Sequence, residues 1–189
     1  MRSFAFFDLD HTLLPFDTQV LFCNFILRHQ RWRTLWHLAF LPCALLRAMQ
    51  LVPTSTAKRA FMSYLTGMRR ETLQARAKEF AERVVNPAIY PVMREELEKQ
   101  RAAGRLLVLN SASPDFYVGE IARVLGFDHF IATRIEVFAT LPFLPRMIGQ
   151  NNKREVKIAR MKAEVPEFAA ANDTVLRDSW SYSDSEADL

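Results

Sequence analysis

Two short apolar runs set the limits on what this chain can fold into. Ser3-Phe4-Ala5-Phe6-Phe7 ends at Asp8, and Leu106-Leu107-Val108-Leu109 follows the breaker Gly104 and ends at Asn110-Ser111. Runs this short, apolar throughout and closed by turn residues, read as strands buried on both faces. Between them lie roughly ninety residues of mostly helical pattern, too many for a simple crossover. The spacing therefore predicts a core built from residues 1–15 and 86–189. Residues 16–85 form an inserted helical unit.

Further elements follow the same logic. Residues 71–84 (ETLQARAKEFAERV) have helix-forming composition, Pro87 and Pro91 mark the return to the core, and Tyr90–Ala103 is an amphipathic helix stopped by Gly104. Pro114–Leu125 reads as a helix ending at Gly126, Phe130-Ile131-Ala132-Thr133 as a third strand, and Glu155–Ala163 as a helix. Residues 135–150, with Pro142 and Pro145, read as irregular, and an acidic loop is expected to close the chain. Strands alternating with helices imply an α/β fold with a Rossmann-like parallel sheet.

Composition removes several classes. Half of the 189 residues are hydrophobic and 24% are charged, which suits a packed domain and not a disordered chain. Cys23 and Cys43 are too few for a disulfide scaffold and lack metal-site spacing, so a reducing, cytoplasmic setting is expected. Asp8 interrupts the N-terminal apolar run too early for a secretory signal. The net charge of +4 is uneven. Thr18 through Arg70 holds no Asp or Glu, yet carries Arg28, Arg31, Arg33, Arg47, Lys58, Arg59, Arg69 and Arg70. Such a patch attracts anionic partners: phosphates, nucleic acid or an anionic membrane face.

Chemistry-bearing residues stand just beyond the strands, where open α/β sheets bind ligands. Asp8 and Asp10 in DLDHT follow the first strand. Paired carboxylates there suit Mg²⁺ together with a phosphate, one carboxylate attacking phosphorus and the other moving the proton. Asn110-Ser111-Ala112-Ser113-Pro114 follows the second strand and offers a hydroxyl and backbone N–H groups to an anion. Lys157 can neutralise a transferring phosphoryl group, and Asp184 and Asp188 in SDSEAD can complete a metal site. Taken singly, each has a plainer reading: a solvated turn, a helix cap, a surface lysine, an acidic tail. The order and placement of the set carry the functional reading.

That ordered set resembles the haloacid dehalogenase (HAD) superfamily, nearest to its phosphoserine-phosphatase-like subfamily (IB) with a helical cap inserted after the first motif. The resemblance covers nearly the whole chain. It implies an HAD-like phosphatase using Asp8 as nucleophile and Asp10 as general acid/base, with phosphate bound by Thr12, Ser111, Ala112 and Lys157. It also implies Mg²⁺ on the Asp8 side chain, the Asp10 carbonyl and Asp184, with Asp188 in support. Relatives that cleave carbon–halogen bonds lack the second Asp of DxD, so hydrolysis of a phosphomonoester is expected. His11 and Ser183 stand where Gly is commonest. Relatives continue past the fourth motif with a helix and a strand, so the sheet is expected to lack an edge element at its C-terminal side. That raises the alternative of a non-catalytic, membrane-binding relic.

The inserted unit adds a second resemblance, to the cap of bacterial phosphatidylglycerophosphate phosphatases, carried by ILRHQRWRTLWHLAFLPCALL. Thr34–Leu46 is an uncharged run too short for a bilayer span and interrupted by Pro42, but flanked by arginines and by Trp32 and Trp36. It reads either as a cap helix burying its apolar face or as an interfacial segment lying on anionic lipid. The expected partner is a lipid phosphate, with the chain peripheral at the inner membrane face, or else a phosphorylated small molecule of the phosphoserine type. Nucleic acid is not expected, since it leaves the four motifs unexplained. Asp17 is expected to cap a helix, His37 to be packed or interfacial, Ala60–Met68 to supply core, and Arg69 and Arg70 to solubilise.

Overall fold

The computed structural model describes residues 3–152, 155–169 and 178–184. Four parallel strands form one sheet in the order β3-β2-β1-β4: β1 (Phe4–Phe7), β2 (Leu106–Pro114), β3 (His129–Thr133) and β4 (Trp180–Tyr182). The α/β parallel sheet expected from the alternating pattern is the fold observed. Phe7 lies level with Leu109 on one side and with Tyr182 on the other. Asp8 and Ser183 therefore leave the sheet together at its carboxyl end, whereas β2 runs on through the second motif to Pro114, with Asn110 level with Ile131, so that motif is strand where the sequence placed it after the strand.

The apolar runs are continuous because both sheet faces are covered. Ala5, Phe7, Leu107, Leu109 and Ala132 point into the larger core, while Phe4, Val108 and Ile131 point into a smaller one closed by Val165, Met161 and Phe168. The latter three sit on or beside α8 (Glu155–Glu164) and α9 (Pro166–Ala169). The larger core receives α1 (Thr18–His29), α4 (Arg70–Phe80) and α7 (Asp115–Leu125), where Phe22 packs its ring against Phe80, Phe116 and Tyr117. Gly126 ends α7 at φ 70°, a left-handed cap that glycine adopts without a Cβ penalty.

Between β1 and β2 every element is helical. A 3₁₀ turn (Arg31–Trp36) leads into α2 (His37–Ala48), followed by α3 (Thr54–Phe61), a second 3₁₀ turn (Met62–Leu65) and α4. A π-helical turn (Ala81–Val85) then joins α4 to α5 (Asn86–Ala88), and α6 (Pro91–Ala102) returns the chain to the sheet. As the sequence predicts, Asp17 caps α1, accepting from the N–H groups of Gln19 (2.8 Å) and Val20 (3.0 Å), and Met62, Leu65 and Met68 are buried. The irregular segment after β3 ties the insertion down: Gly67 and Arg70 donate backbone bonds to Leu141 and Ala139, and Arg59 donates to the carbonyls of Leu144 and Pro145.

Two expectations need correction. The closing acidic loop contains β4, whose three residues are too few to show a periodic pattern. The strand is fixed instead by pairing to β1 and by Tyr182, stacked on Phe7 at 4.5 Å and donating its hydroxyl to Glu96 (2.7 Å). Burial, with the Glu96 carboxylate beside it, pushes the Tyr182 phenol up to about 12. Arg33, grouped by sequence with the surface cations, is buried. Its guanidinium donates to the carbonyls of Tyr64 (2.7 Å) and Thr66 (2.9 Å), which the second 3₁₀ turn leaves without helical partners.

Candidate active site

The site is a cleft of about 1110 Å³ between the carboxyl end of the sheet and the inserted helices. Asp8, Asp10, Ala112, Ser113, Lys157 and Asp184 line its floor, and Val20, Phe40, Thr54, Lys58 and Phe61 line the side made by α1, α2 and α3. The chain thus brings together, from four separate stretches, most of the residues the motifs nominate.

Asp8 extends β1 by one step, its N–H donating to the carbonyl of Tyr182 at 2.9 Å, which fixes the backbone from which its carboxylate projects. Lys157, on α8 and almost fully buried, donates to Asp8 Oδ1 at 2.9 Å. His11, the next turn residue after Asp10, adopts φ 60°. Glycine takes this left-handed conformation freely and histidine tolerates it better than most residues, which explains the preference at that position.

Asp10 is held differently. Its Oδ1 accepts from the Thr18 N–H and its Oδ2 from the Ser113 hydroxyl, both at 2.7 Å. Thr18 Oγ1 lies 3.1 Å from Ser113 Oγ and 3.3 Å from the hydroxyl of the buried Tyr117, so three side chains brace one carboxylate. Burial raises the Asp10 carboxyl above its ordinary value, and the nearby charge of Asp17 adds to the rise, although the Thr18 and Ser113 hydrogen bonds oppose it. A carboxyl so placed keeps its proton to higher pH, as a proton donor requires.

The remaining nominated residues occupy distinct places. Ser111 is fully buried behind Ala112, its Oγ accepting from the Ser113 N–H at 3.0 Å. Thr12 accepts from the Asp184 N–H at 3.0 Å and so fastens the loop after β4 to the first motif. Asp188 lies outside the described residues.

Three features escape sequence reasoning. Thr18 and Tyr117 reach Asp10 through tertiary packing alone. Lys58, on α3, donates to the Ala112 carbonyl and to Asn151 Oδ1 (3.2 Å), laying an ammonium from the insertion across the second motif. Asn152, buried, donates to Asn110 Oδ1 and the Ser111 carbonyl, both at 2.8 Å, and so locks the ends of β2 and β3 together with Thr133. The only advance signal was the Asn-Asn pair two residues before the helix that carries Lys157.

Among the described residues no three Asp, Glu, His or Cys side chains gather as a metal cluster. The geometry supplies a reason: the Asp10 carboxylate is turned to Thr18 and Ser113, leaving Asp8 and Asp184 as the other nominated carboxylates lining the cleft. Such an all-oxygen set fits a hard cation that retains several waters.

The sequence model of haloacid dehalogenase-like hydrolases matches residues 5–189. The chain belongs to this family. Among curated relatives, a probable phosphatase of Mycobacterium tuberculosis is 26% identical over the full length of this chain, which spans 64% of that protein. A solved structure from Bordetella pertussis, of unknown function, superposes with a TM-score of 0.76 at 28% identity, covering 100% of this chain and 85% of that one. A substrate-bound phosphoserine phosphatase shares the fold at a TM-score of 0.57 and 16% identity, covering 96% and 77%.

Proposed function

We propose that this HAD-family chain is a Mg²⁺-dependent phosphomonoesterase that works through an aspartyl-phosphate. The observation that carries the reading is the contrast between two carboxylates on one cleft: Asp8 is paired with an ammonium, and Asp10 is buried and biased towards its protonated form. Environments that divide two acids in this way divide their roles.

In the first step an Asp8 oxygen attacks phosphorus, and the bond to the leaving alcohol oxygen breaks as the Asp8–phosphorus bond forms. Asp10 gives its proton to that oxygen, and Lys157 balances charge on the phosphoryl oxygens. In the second step Asp10, now ionised, takes a proton from water as the water attacks phosphorus, releasing inorganic phosphate and restoring both carboxyl groups. Asp8, the Asp10 main-chain carbonyl and Asp184 would hold the metal, with Asp188 in support. When bound, Mg²⁺ supplies charge neutralisation and alignment at the phosphoryl group. Backbone N–H groups around Ala112, with the hydroxyls of Ser111 and Thr12 behind them, serve the phosphate.

The apolar wall of Val20, Phe40 and Phe61 favours an ester with an apolar part, a lipid phosphate such as phosphatidylglycerophosphate. A small phosphomonoester of the phosphoserine type is the second reading, supported by Lys58 and Gln19 on the same wall, which suit a polar leaving group. Acid-quenched enzyme analysed by mass spectrometry tests the mechanism. A phosphoryl adduct is expected on the peptide holding Asp8 and absent from Asp8→Asn; an adduct on another residue overturns it.

A further inference from the structure

Helix α2 differs from the other described helices of eight or more residues because none of its residues is buried. Its inner side is only partly covered, by Phe40 packed edge-on against Phe61. Its outer side presents Leu38, Leu41, Leu45 and Met49, which recur at helical spacing and fall on one stripe. Leu35 before the helix and Leu51 after it are equally bare, and all six are between 59% and 68% exposed. Apolar side chains exposed singly need no explanation, whereas six gathered on and beside one helix mark a surface that is covered in use.

The charges around the band say what covers it. Arg28 and Arg31 precede the band along the chain and Arg47 stands on α2 itself, all three exposed, and no acid occurs anywhere from Thr18 to Arg70. A second copy of the chain placed face to face would set these arginines against one another with no carboxylate to compensate. An anionic lipid surface answers both properties, receiving the leucines below its headgroups and pairing the arginines with phosphate. The twelve-residue helix is about 18 Å long, well short of a bilayer core, so it would lie in the interface and not cross it. Trp32, exposed beside the band with the Arg33 guanidinium 4.7 Å from its ring centroid, is placed as an interfacial anchor.

We propose that the outer face of α2, with the turns on either side, docks on an anionic bilayer. Phe40 and Phe61 line the cleft while the opposite side of α2 forms the band, so docking sets the cleft beside the headgroup layer. That this delivers a lipid phosphate to Asp8 rests on the catalytic reading; the docking itself does not.

Co-sedimentation of the full chain tests the proposal, using vesicles of phosphatidylcholine alone and of phosphatidylcholine mixed equally with phosphatidylglycerol. The chain should pellet with the mixed vesicles only. The doubly substituted L41E/L45E, altered only at exposed positions, should lose at least about tenfold in affinity while keeping its circular dichroism spectrum. R28A/R31A should bind more weakly, and Asp8→Asn as well as the parent. No binding to mixed vesicles, equal binding to neutral ones, or undiminished binding by L41E/L45E would each overturn the proposal. So would a dimer of the parent that L41E/L45E dissolves, since the band would then belong to a second copy. Docking without phosphate release would remove the catalytic reading and leave the docking intact.

Discussion

Ser113 donates its hydroxyl proton to Asp10 Oδ2 at 2.7 Å, joining the first and second motifs across 103 residues. The same carboxylate accepts from the first N–H of α1, so the proposed proton donor is anchored both to the sheet and to the root of the inserted helices. Chemistry and insertion are therefore coupled at one side chain.

The buried Asp10 carboxyl makes stability pH-dependent. Its pKa is raised in the folded chain, chiefly by burial, so the unfolded chain gives up this proton at lower pH. Its contribution to stability is full below the ordinary carboxylate range and is lost as pH rises through the raised value. Asp10→Asn should remove that slope. Denaturant unfolding at acid and neutral pH should show the variant gaining on the parent as pH rises, with turnover lost; parallel curves would contradict the assignment.

Lys157→Ala takes the ammonium from Asp8 and, on the proposed mechanism, from the transferring phosphoryl group. A loss of roughly 10²–10³ in kcat is expected, as for a preorganised charge at the reacting centre. Steady-state phosphate release from a generic aryl phosphate measures it, and a change confined to KM would show that Lys157 only binds substrate.

Lys58→Ala should do the opposite. The ammonium reaches the second motif from α3 and lines the cleft, where the account has it bind substrate without entering the bond changes. A charged hydrogen bond lost from ground and transition states alike predicts a KM raised roughly tenfold with kcat little altered. A large fall in kcat would place Lys58 in the chemistry.

Phe22 joins α1 to α4 and α7 and is fully buried. Phe22→Ala should cost about 3–5 kcal/mol, since the aromatic neighbours cannot collapse into the space. Urea unfolding reads this directly, and a cost under about 1 kcal/mol would show a site able to repack.

What could be read in advance follows from how locally each feature is encoded. β1 and the first four residues of β2 announce themselves because both faces are buried and every residue in the run is apolar, whereas the polar second half of β2 does not. Asp8, Asp10, Lys157 and Asp184 were legible because each sits in a short motif beside a strand or helix. β4 was not, because Trp180-Ser181-Tyr182 becomes a strand only by pairing with Phe7 and its neighbours. Arg33 reads as one more surface cation until the chain folds and brings the Tyr64 and Thr66 carbonyls to it. Lys58 and Tyr117 likewise acquire their places from contacts with distant parts of the chain, which no local pattern records.

The most direct test of the account is phosphate release from an aryl phosphate by the parent chain and by Asp8→Asn, each with Mg²⁺ and after chelation. The account predicts release by the parent that needs the metal and disappears in the folded variant. Release by Asp8→Asn at the parent's rate would contradict it.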